Sequence, residues 1–234
     1  PMWFALDGEK AQYDYSYNYQ NWYPSAEYET NNTIKNVGLF DLTPFSKFEI
    51  KSNKGHQELQ KICTANIKNE PGKCIYTHML NPDGGIETDL TVVCVEKNHF
   101  RIISSAATRE RDKFHIKKYL SKDIKLKDIT DDFCVFGLFG PKSRNLIKKI
   151  SKDNFENDVF KFGTAKYITI EGIKIWAQRL SYVGELGYEL YVDFKNAKKI
   201  YELIINKGKD FNLSNCGMHA MDIMRMESGF LHWG

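Results

Sequence analysis

The chain has 234 residues, of which 42% are hydrophobic, and a formal net charge of +3. Its 15 Phe, 13 Tyr and 4 Trp can bury enough surface to offset chain entropy, which excludes a disordered chain. No run approaches the roughly 18 apolar residues of a membrane span, and the first residues lack the basic start of a secretory signal. The basic residues are spread along the chain, so neither a membrane nor a nucleic-acid partner is expected.

The cysteines and histidines carry little chemical signal. The five cysteines are isolated, odd in number and free of CxxC spacing, which argues against a disulfide framework and a zinc ribbon. The six histidines show no HExxH or paired ligand spacing, so no metal site is expected. This cysteine usage fits a reducing compartment, and we expect a cytoplasmic location.

The two ends of the chain suggest a piece of a longer polypeptide. There is no initiator Met, and the last residues, GFLHWG, directly follow a predicted helix. A site that needs further segments is then expected to be only half present.

The predicted elements follow one another irregularly. In chain order they are an extended aromatic arm (YDYSYNYQNWYP), a helix over 27–36, strands in GLFDLTPFSKFEI, a helix over 56–65, and strands in CIYTHML, DLTVVCV and HFRIISSA. They continue with a helix over 108–120, a strand in FCVFGLFG, a helix over 141–150, strands in AKYITIEGIKIWAQRLSY and GYELYVDF, and helices over 197–207 and 218–230. Pro141 is expected in the first turn of its helix.

The connections between strands favour hairpins. Glu171 and Gly172 form a two-residue link between β-rich runs, and RLSYVGELGYELYV has two strands around a glycine-containing turn. The sequence therefore predicts an α+β fold with largely antiparallel sheets and interspersed helices. No GxGxxG or GxxxxGK[ST] follows a predicted strand, which argues against a nucleotide-binding domain of either kind.

A first candidate site lies in NPDGGIETDL. After the turn, Glu87 and Asp89 alternate along a strand and share one face. A carboxylate beside an apolar sheet face can be partly desolvated and accept a proton or hold a cation. The alternative is a solvated rim of a hairpin.

A second candidate lies in SYVGELGYEL, where Tyr182 precedes the turn and Glu189 lies on the strand that leaves it. A carboxylate between apolar neighbours on an interior strand needs partners. A ligand with two adjacent N–H donors would supply a bidentate match, and an Arg elsewhere in the fold would do the same. Spacing alone favours the salt bridge.

Five motifs taken together resemble a known family. VGLFDLTPFSKFEI, YTHMLNPDGGIETDLTV, GLFGPKSR, RLSYVGELGYELYV and HAMDIMRMESGFLHWG, in this order, resemble the folate-binding module of the glycine-cleavage T-protein (aminomethyltransferase) superfamily. The aromatic opening and the closing ESGFLHWG are more similar to the module found in dimethylglycine and sarcosine dehydrogenases. The resemblance implies a T-protein-like folate-binding domain over residues 1–234, with an FAD domain and a C-terminal barrel outside the chain.

The resemblance also implies roles for individual residues. Asp89 matches the catalytic aspartate near N5 and N10 of tetrahydrofolate, and Glu189 matches the glutamate that holds the 2-amino and N3 edge of the pterin. Tyr182 matches a tyrosine of the pterin site, and Phe45 and Ile103 match apolar residues that line it. This sequence departs from the pattern of free T-protein in the final helix. Where free T-protein has an arginine, this chain has Met221.

The implied function is tetrahydrofolate-dependent one-carbon transfer. The imine or formaldehyde-level carbon of an N-methylglycine would be captured to give 5,10-methylenetetrahydrofolate, with FAD bound in the domain outside this chain. One alternative is aminomethyl transfer from a lipoyl carrier, as in the glycine cleavage system. Another is a non-enzymatic folate-binding protein related to iron–sulfur assembly factors. The expected partners are a folate and a methylamine-type substrate; the oligomeric state is left open.

Overall fold

The structure, a computed structural model, describes residues 1–233, which form six α-helices and eleven strands. The helices are α1 (Tyr23–Lys35), α2 (Gly55–Ile62), α3 (Arg109–Tyr119), α4 (Ser143–Ile150), α5 (Phe194–Gly208) and α6 (Met218–Glu227). The strands are β1 (Val37–Asp41), β2 (Ser46–Lys51), β3 (Cys74–Leu80), β4 (Ile86–Glu96), β5 (His99–Ser104), β6 (Leu126–Asp128), β7 (Phe133–Phe139), β8 (Thr164–Ile170), β9 (Ile173–Arg179), β10 (Gly187–Asp193) and β11 (Leu213–Cys216).

The strands form two sheets. One has six strands in the order β11-β1-β7-β10-β9-β8, and the other has five in the order β3-β4-β5-β2-β6. The pairing is antiparallel except between β1 and β11, which run parallel. The predicted α+β fold with largely antiparallel sheets is therefore confirmed.

Each sheet has one face covered by helices and one face turned toward the other sheet. The period of two along a strand separates these faces: in β10, Tyr188 and Leu190 belong to a core shared with α4 and α5, whereas Tyr191 faces the opposite way. The outer face of the five-stranded sheet packs in the same manner on α2 and α3. Helices α4 and α5 present apolar stripes at helical spacing, such as Ile200 and Ile204, which explains why they form and where they dock.

The two inner faces share a third core, which we call the inter-sheet layer. Its buried members come from both sheets, from α6 and from neighbouring loops: Phe40, Leu42, Cys74, Val93, Val95, Val135, Phe139, Ala165, Trp176, Val183, Tyr191, Cys216, Ala220, Met221 and Met224. A backbone hydrogen bond of 3.0 Å from Cys74 N to Gly163 O joins the sheets at one edge. The candidate site residues border this layer.

All six predicted helices are present, with ends displaced by a few residues. The prediction for Pro141 is wrong, because this residue lies in the turn before α4 and not in the first turn of the helix. The two-residue hairpin is confirmed: Glu171 and Gly172 link β8 to β9 with φ values of 49° and 74°. Strands β6 and β11 were not predicted, because three or four residues show too little periodicity.

The aromatic arm at the start of the chain packs on α6 around one histidine. The Trp22 ring stacks on His219 with centroids 3.9 Å apart, and the Tyr13 hydroxyl lies 2.9 Å from His219 Nε2. The Glu29 carboxylate of α1 accepts hydrogen bonds from Phe4 N at 2.6 Å and Gly217 N at 2.7 Å. The arm is thus attached near both of its ends, through Tyr13 and Trp22, whereas Tyr15, Tyr17 and Tyr19 between them are exposed.

Candidate functional site

Asp89 lies on β4 and faces the inter-sheet layer. Alternation along β4 places it on the side of Val93, while Leu90 and Val92 belong to the outer core. Its Oδ2 accepts a hydrogen bond of 3.0 Å from the hydroxyl of Tyr76 on β3. The side chain is partly accessible, so it can accept a proton from a group that approaches the layer.

Glu189 faces the same layer from the other sheet. Its Oε2 accepts a hydrogen bond of 3.1 Å from the Tyr191 hydroxyl, and only a small part of its surface is accessible. Within residues 1–233 no Lys, Arg or His nitrogen lies within 4.0 Å of this carboxylate, so the salt-bridge alternative has no partner there. Burial raises the pKa of Glu189 to about 7, and the hydrogen bond from Tyr191 only partly opposes this.

Arg101, a buried cation on the opposite sheet, already has a partner. Arg101 of β5 donates from Nη2 to Glu49 Oε1 at 2.8 Å and stacks over Phe133 with 4.8 Å to the ring centroid. Burial alone would raise the pKa of Glu49, but the contact with His99 and the hydrogen bond from Arg101 lower it to about 2. The charge of Arg101 is therefore balanced by Glu49 on its own sheet, and Glu189 has no counterion within the described residues.

The three other predicted site residues also contact the layer. Phe45, Ile103 and Tyr182 are partly buried and pack against its core. Burial raises the pKa of the Tyr182 phenol, Arg225 opposes this, and the nearby Asp89 carboxylate acts in the same direction as burial. The structure thus brings all five predicted residues to one layer, although they come from five separate segments.

The segment after α6 passes over Tyr182. The Phe230 ring stacks on the Tyr182 ring with centroids 6.2 Å apart, and the Tyr182 hydroxyl lies 3.4 Å from the Leu231 carbonyl oxygen. Further on, the Arg111 guanidinium of α3 lies over the Trp233 ring, 4.7 Å from its centroid. This segment covers the side of the layer on which Tyr182 lies.

Sequence reasoning missed one polar residue of the layer, Gln178. It lies on β9 directly opposite Glu189 in the β9–β10 register and is fully buried. Neither its Nε2 nor its Oε1 has a hydrogen-bond partner within the described part of the chain. A glutamine in a strand has no motif, so only the register and the burial identify it.

Two surface clefts lie elsewhere. One of about 220 Å³ adjoins Gly72 and Ala165, and one of about 910 Å³ is lined by several lysines, among them Lys148 and Lys207. None of the five predicted residues lines either cleft. The candidate site is thus defined by side-chain chemistry between the sheets and is separate from both of these clefts.

Comparison with known proteins identifies the family. Residues 2–234 match the GCVT N-terminal domain. The chain belongs to this family. Its GCVT relatives include the mitochondrial dimethylglycine dehydrogenase of Rattus norvegicus, 34% identical over all of this chain and 28% of the relative. The 4-methylaminobutanoate oxidase (formaldehyde-forming) of Paenarthrobacter nicotinovorans is 33% identical over 99% of this chain and 28% of its own length.

Other proteins match over more of their own length. An aminomethyltransferase of Halothermothrix orenii is 29% identical over 88% of this chain and 58% of the relative. The crystal structure of the glycine cleavage system aminomethyltransferase T from Bartonella henselae superposes with a TM-score of 0.79 at 18% identity, over 95% of this chain and 60% of that one. The T-protein-like fold is thereby confirmed. The chain spans about 28% of the length of the two oxidising relatives named above.

None of the described helices is both long and apolar enough to cross a membrane.

Proposed function

We propose that this chain is the tetrahydrofolate-binding part of a longer enzyme that oxidises an N-methylated glycine. In it, the imine or formaldehyde-level carbon is captured as 5,10-methylenetetrahydrofolate between the two sheets. The relatives whose names describe dehydrogenases or a formaldehyde-forming oxidase support the oxidative part of this proposal. FAD is assigned to a part of the protein outside this chain.

The observation that carries the proposal is the carboxylate of Glu189. It lies in the protein interior with one hydrogen bond and no cation within reach among residues 1–233. A buried acceptor of this kind is satisfied by a ligand that presents two adjacent N–H donors. The 2-amino and N3–H groups of a pterin are such a pair, so Glu189 would hold the ring by that edge.

Asp89 is the proposed acid–base residue. When bound, tetrahydrofolate supplies N5 and N10 as nucleophilic amines. Asp89 faces the same layer from the opposite sheet, and its carboxylate is held by the Tyr76 hydroxyl. It can stabilise positive charge at the amine and remove the proton that the amine releases.

The apolar lining supports a dehydrogenase-type module over a lipoyl-dependent transferase. Met221 of α6, at the position where free T-protein has an arginine, is 2% exposed and belongs to the inter-sheet layer. No cation enters the layer from that position. Phe45, Ile103 and Tyr182 would supply aromatic and apolar surface for contact with a ring.

A titration with tetrahydrofolate under argon, followed by intrinsic Trp and Tyr fluorescence, tests the pterin site. Saturable binding is expected, and Glu189→Gln should weaken it by at least tenfold because the amide presents a donor where an acceptor is needed. Glu27→Gln, an exposed residue on α1, is the matched control and should bind as the wild type does. Unchanged affinity in Glu189→Gln would contradict the assignment of the pterin edge.

A second measurement separates chemistry from affinity. Asp89→Asn should bind tetrahydrofolate with an affinity close to that of the wild type. It should, however, no longer accelerate the formation of 5,10-methylenetetrahydrofolate over the uncatalysed reaction with formaldehyde. If the folded chain does not bind tetrahydrofolate, the titration is repeated on the complete polypeptide that contains it. Binding by the complete protein alone would mean that other domains finish the site, and binding by neither would refute the folate assignment.

A further inference from the structure

Gln178 and Glu189 form a cross-strand pair on the inner face of the six-stranded sheet. They are directly paired in the β9–β10 register. Alternation places Gln178 on the side of Trp176 and Glu189 on the side of Tyr191, and both aromatic residues belong to the inter-sheet layer. Directly opposite residues on one face have Cβ atoms about 5 Å apart, so the two side chains enter the layer together.

The amide of Gln178 is left without partners in this arrangement. Its side chain is 0% exposed, and neither Nε2 nor Oε1 makes a hydrogen bond within residues 1–233. Buried polar groups of folded proteins are nearly always hydrogen-bonded, because an unpaired one keeps its full desolvation cost. By contrast, Gln60 on α2 donates to Ala65 O at 3.0 Å and accepts from Ile67 N at 2.9 Å.

The chemistry of the amide indicates what satisfies it. A primary amide presents one donor and one acceptor side by side, and it pairs with a ring edge that carries an acceptor next to an N–H donor. A reduced pterin has such an edge, N1 and N8–H, directly beside the donor pair assigned to Glu189. The side chain has three rotatable torsions, which allow its amide to turn toward a ring without movement of the strand.

We propose that Gln178 is a second ring-binding residue, which contacts the hydrogen-bonding edge of the ligand next to the edge held by Glu189. This inference rests on the proposed function, since it assumes that a pterin occupies the layer. Gln178 adds specificity, because a ring without a neighbouring acceptor and donor leaves the amide unpaired.

The test compares Gln178→Met with Gln60→Met in two measurements, the melting temperature without ligand and the Kd for tetrahydrofolate. Methionine keeps the length of glutamine and removes the amide. Gln178→Met should raise Tm by about 2–4 °C, because a buried group without partners is removed, and should raise Kd about tenfold. Gln60→Met should lower Tm and leave Kd unchanged.

The outcomes are distinct. A rise in Tm together with weaker binding supports the inference, since only a residue that is unsatisfied in the free protein and satisfied by the ligand gives both. Unchanged affinity, or a loss of Tm like that of Gln60→Met, overturns it by showing that the amide has no ligand role or a structural one. Failure of the proposed function looks different, because the wild type then shows no saturable binding or Glu189→Gln leaves the binding intact.

Discussion

The burial of Glu189 predicts a pH-dependent cost to stability that a single amide substitution removes. Its pKa in the folded protein is about 7, compared with an ordinary value of 4.5. The folded state therefore binds the proton more tightly than the unfolded state does. As the pH rises from about 4.5 to about 7 the unfolded state ionises first, and the free energy of unfolding falls.

The size of the effect follows from the two pKa values. Each pKa unit corresponds to about 1.4 kcal/mol, so the difference between 4.5 and about 7 amounts to about 3 kcal/mol. Glu189→Gln carries no charge at any pH and keeps the shape of the protonated acid. It should match the wild type at pH 4.5 and exceed its stability by about 3 kcal/mol at pH 8.5.

Urea denaturation at half-unit pH steps from 4.5 to 8.5 measures this difference. Because the variant is compared with the wild type at each pH, contributions from other titrating groups cancel. Glu27→Gln, on the exposed side of α1, should give a flat difference. A flat difference for Glu189→Gln as well would show that the carboxylate is solvated or paired, which would refute its assignment as a ligand-binding acceptor.

Other substitutions test separate parts of the structure. Lys47 is buried and donates to the carbonyls of Thr43 and Phe45, and burial lowers its pKa to about 8. Between pH 8 and 10 the unfolded state therefore binds more protons than the folded state, and wild-type stability should rise with pH. Lys47→Met should abolish that rise in urea titrations. Gly217→Ala would place a Cβ 2.2 Å from the backbone oxygen of residue 2, so hydrogen exchange should show the aromatic arm released from α6. Gly172→Ala has free space but a φ of +74°, and should cost about 1–2 kcal/mol in chemical denaturation through backbone strain alone. A larger loss of stability would show that the added methyl group clashes, although no atom lies within 4 Å of its position.

The sequence predicted the secondary structure and the faces of the strands well. Periodicity located six helices, and the Glu171–Gly172 link predicted a hairpin that the structure has. The run GLFDLTPFSKFEI shows that a local pattern does not predict which sheet a strand joins. Its pattern predicts strands but does not assign them to sheets, and in the structure β1 belongs to the six-stranded sheet and β2 to the five-stranded one. Local pattern does not specify which distant strand supplies the hydrogen bonds.

The ionisable residues divide in the same way. The strand pattern predicts that Glu189 lies on an interior strand with apolar neighbours and that Asp89 shares a face with Glu87, because side-chain direction follows from the period of the strand. Long-range folding was needed to show that Arg101 pairs with Glu49. It was also needed to show that, among residues 1–233, Glu189 has no cation within reach and Gln178, directly opposite, has no hydrogen-bond partner. Burial and partner choice depend on long-range packing of the sheets, and these set both the pKa of a carboxylate and what it can bind.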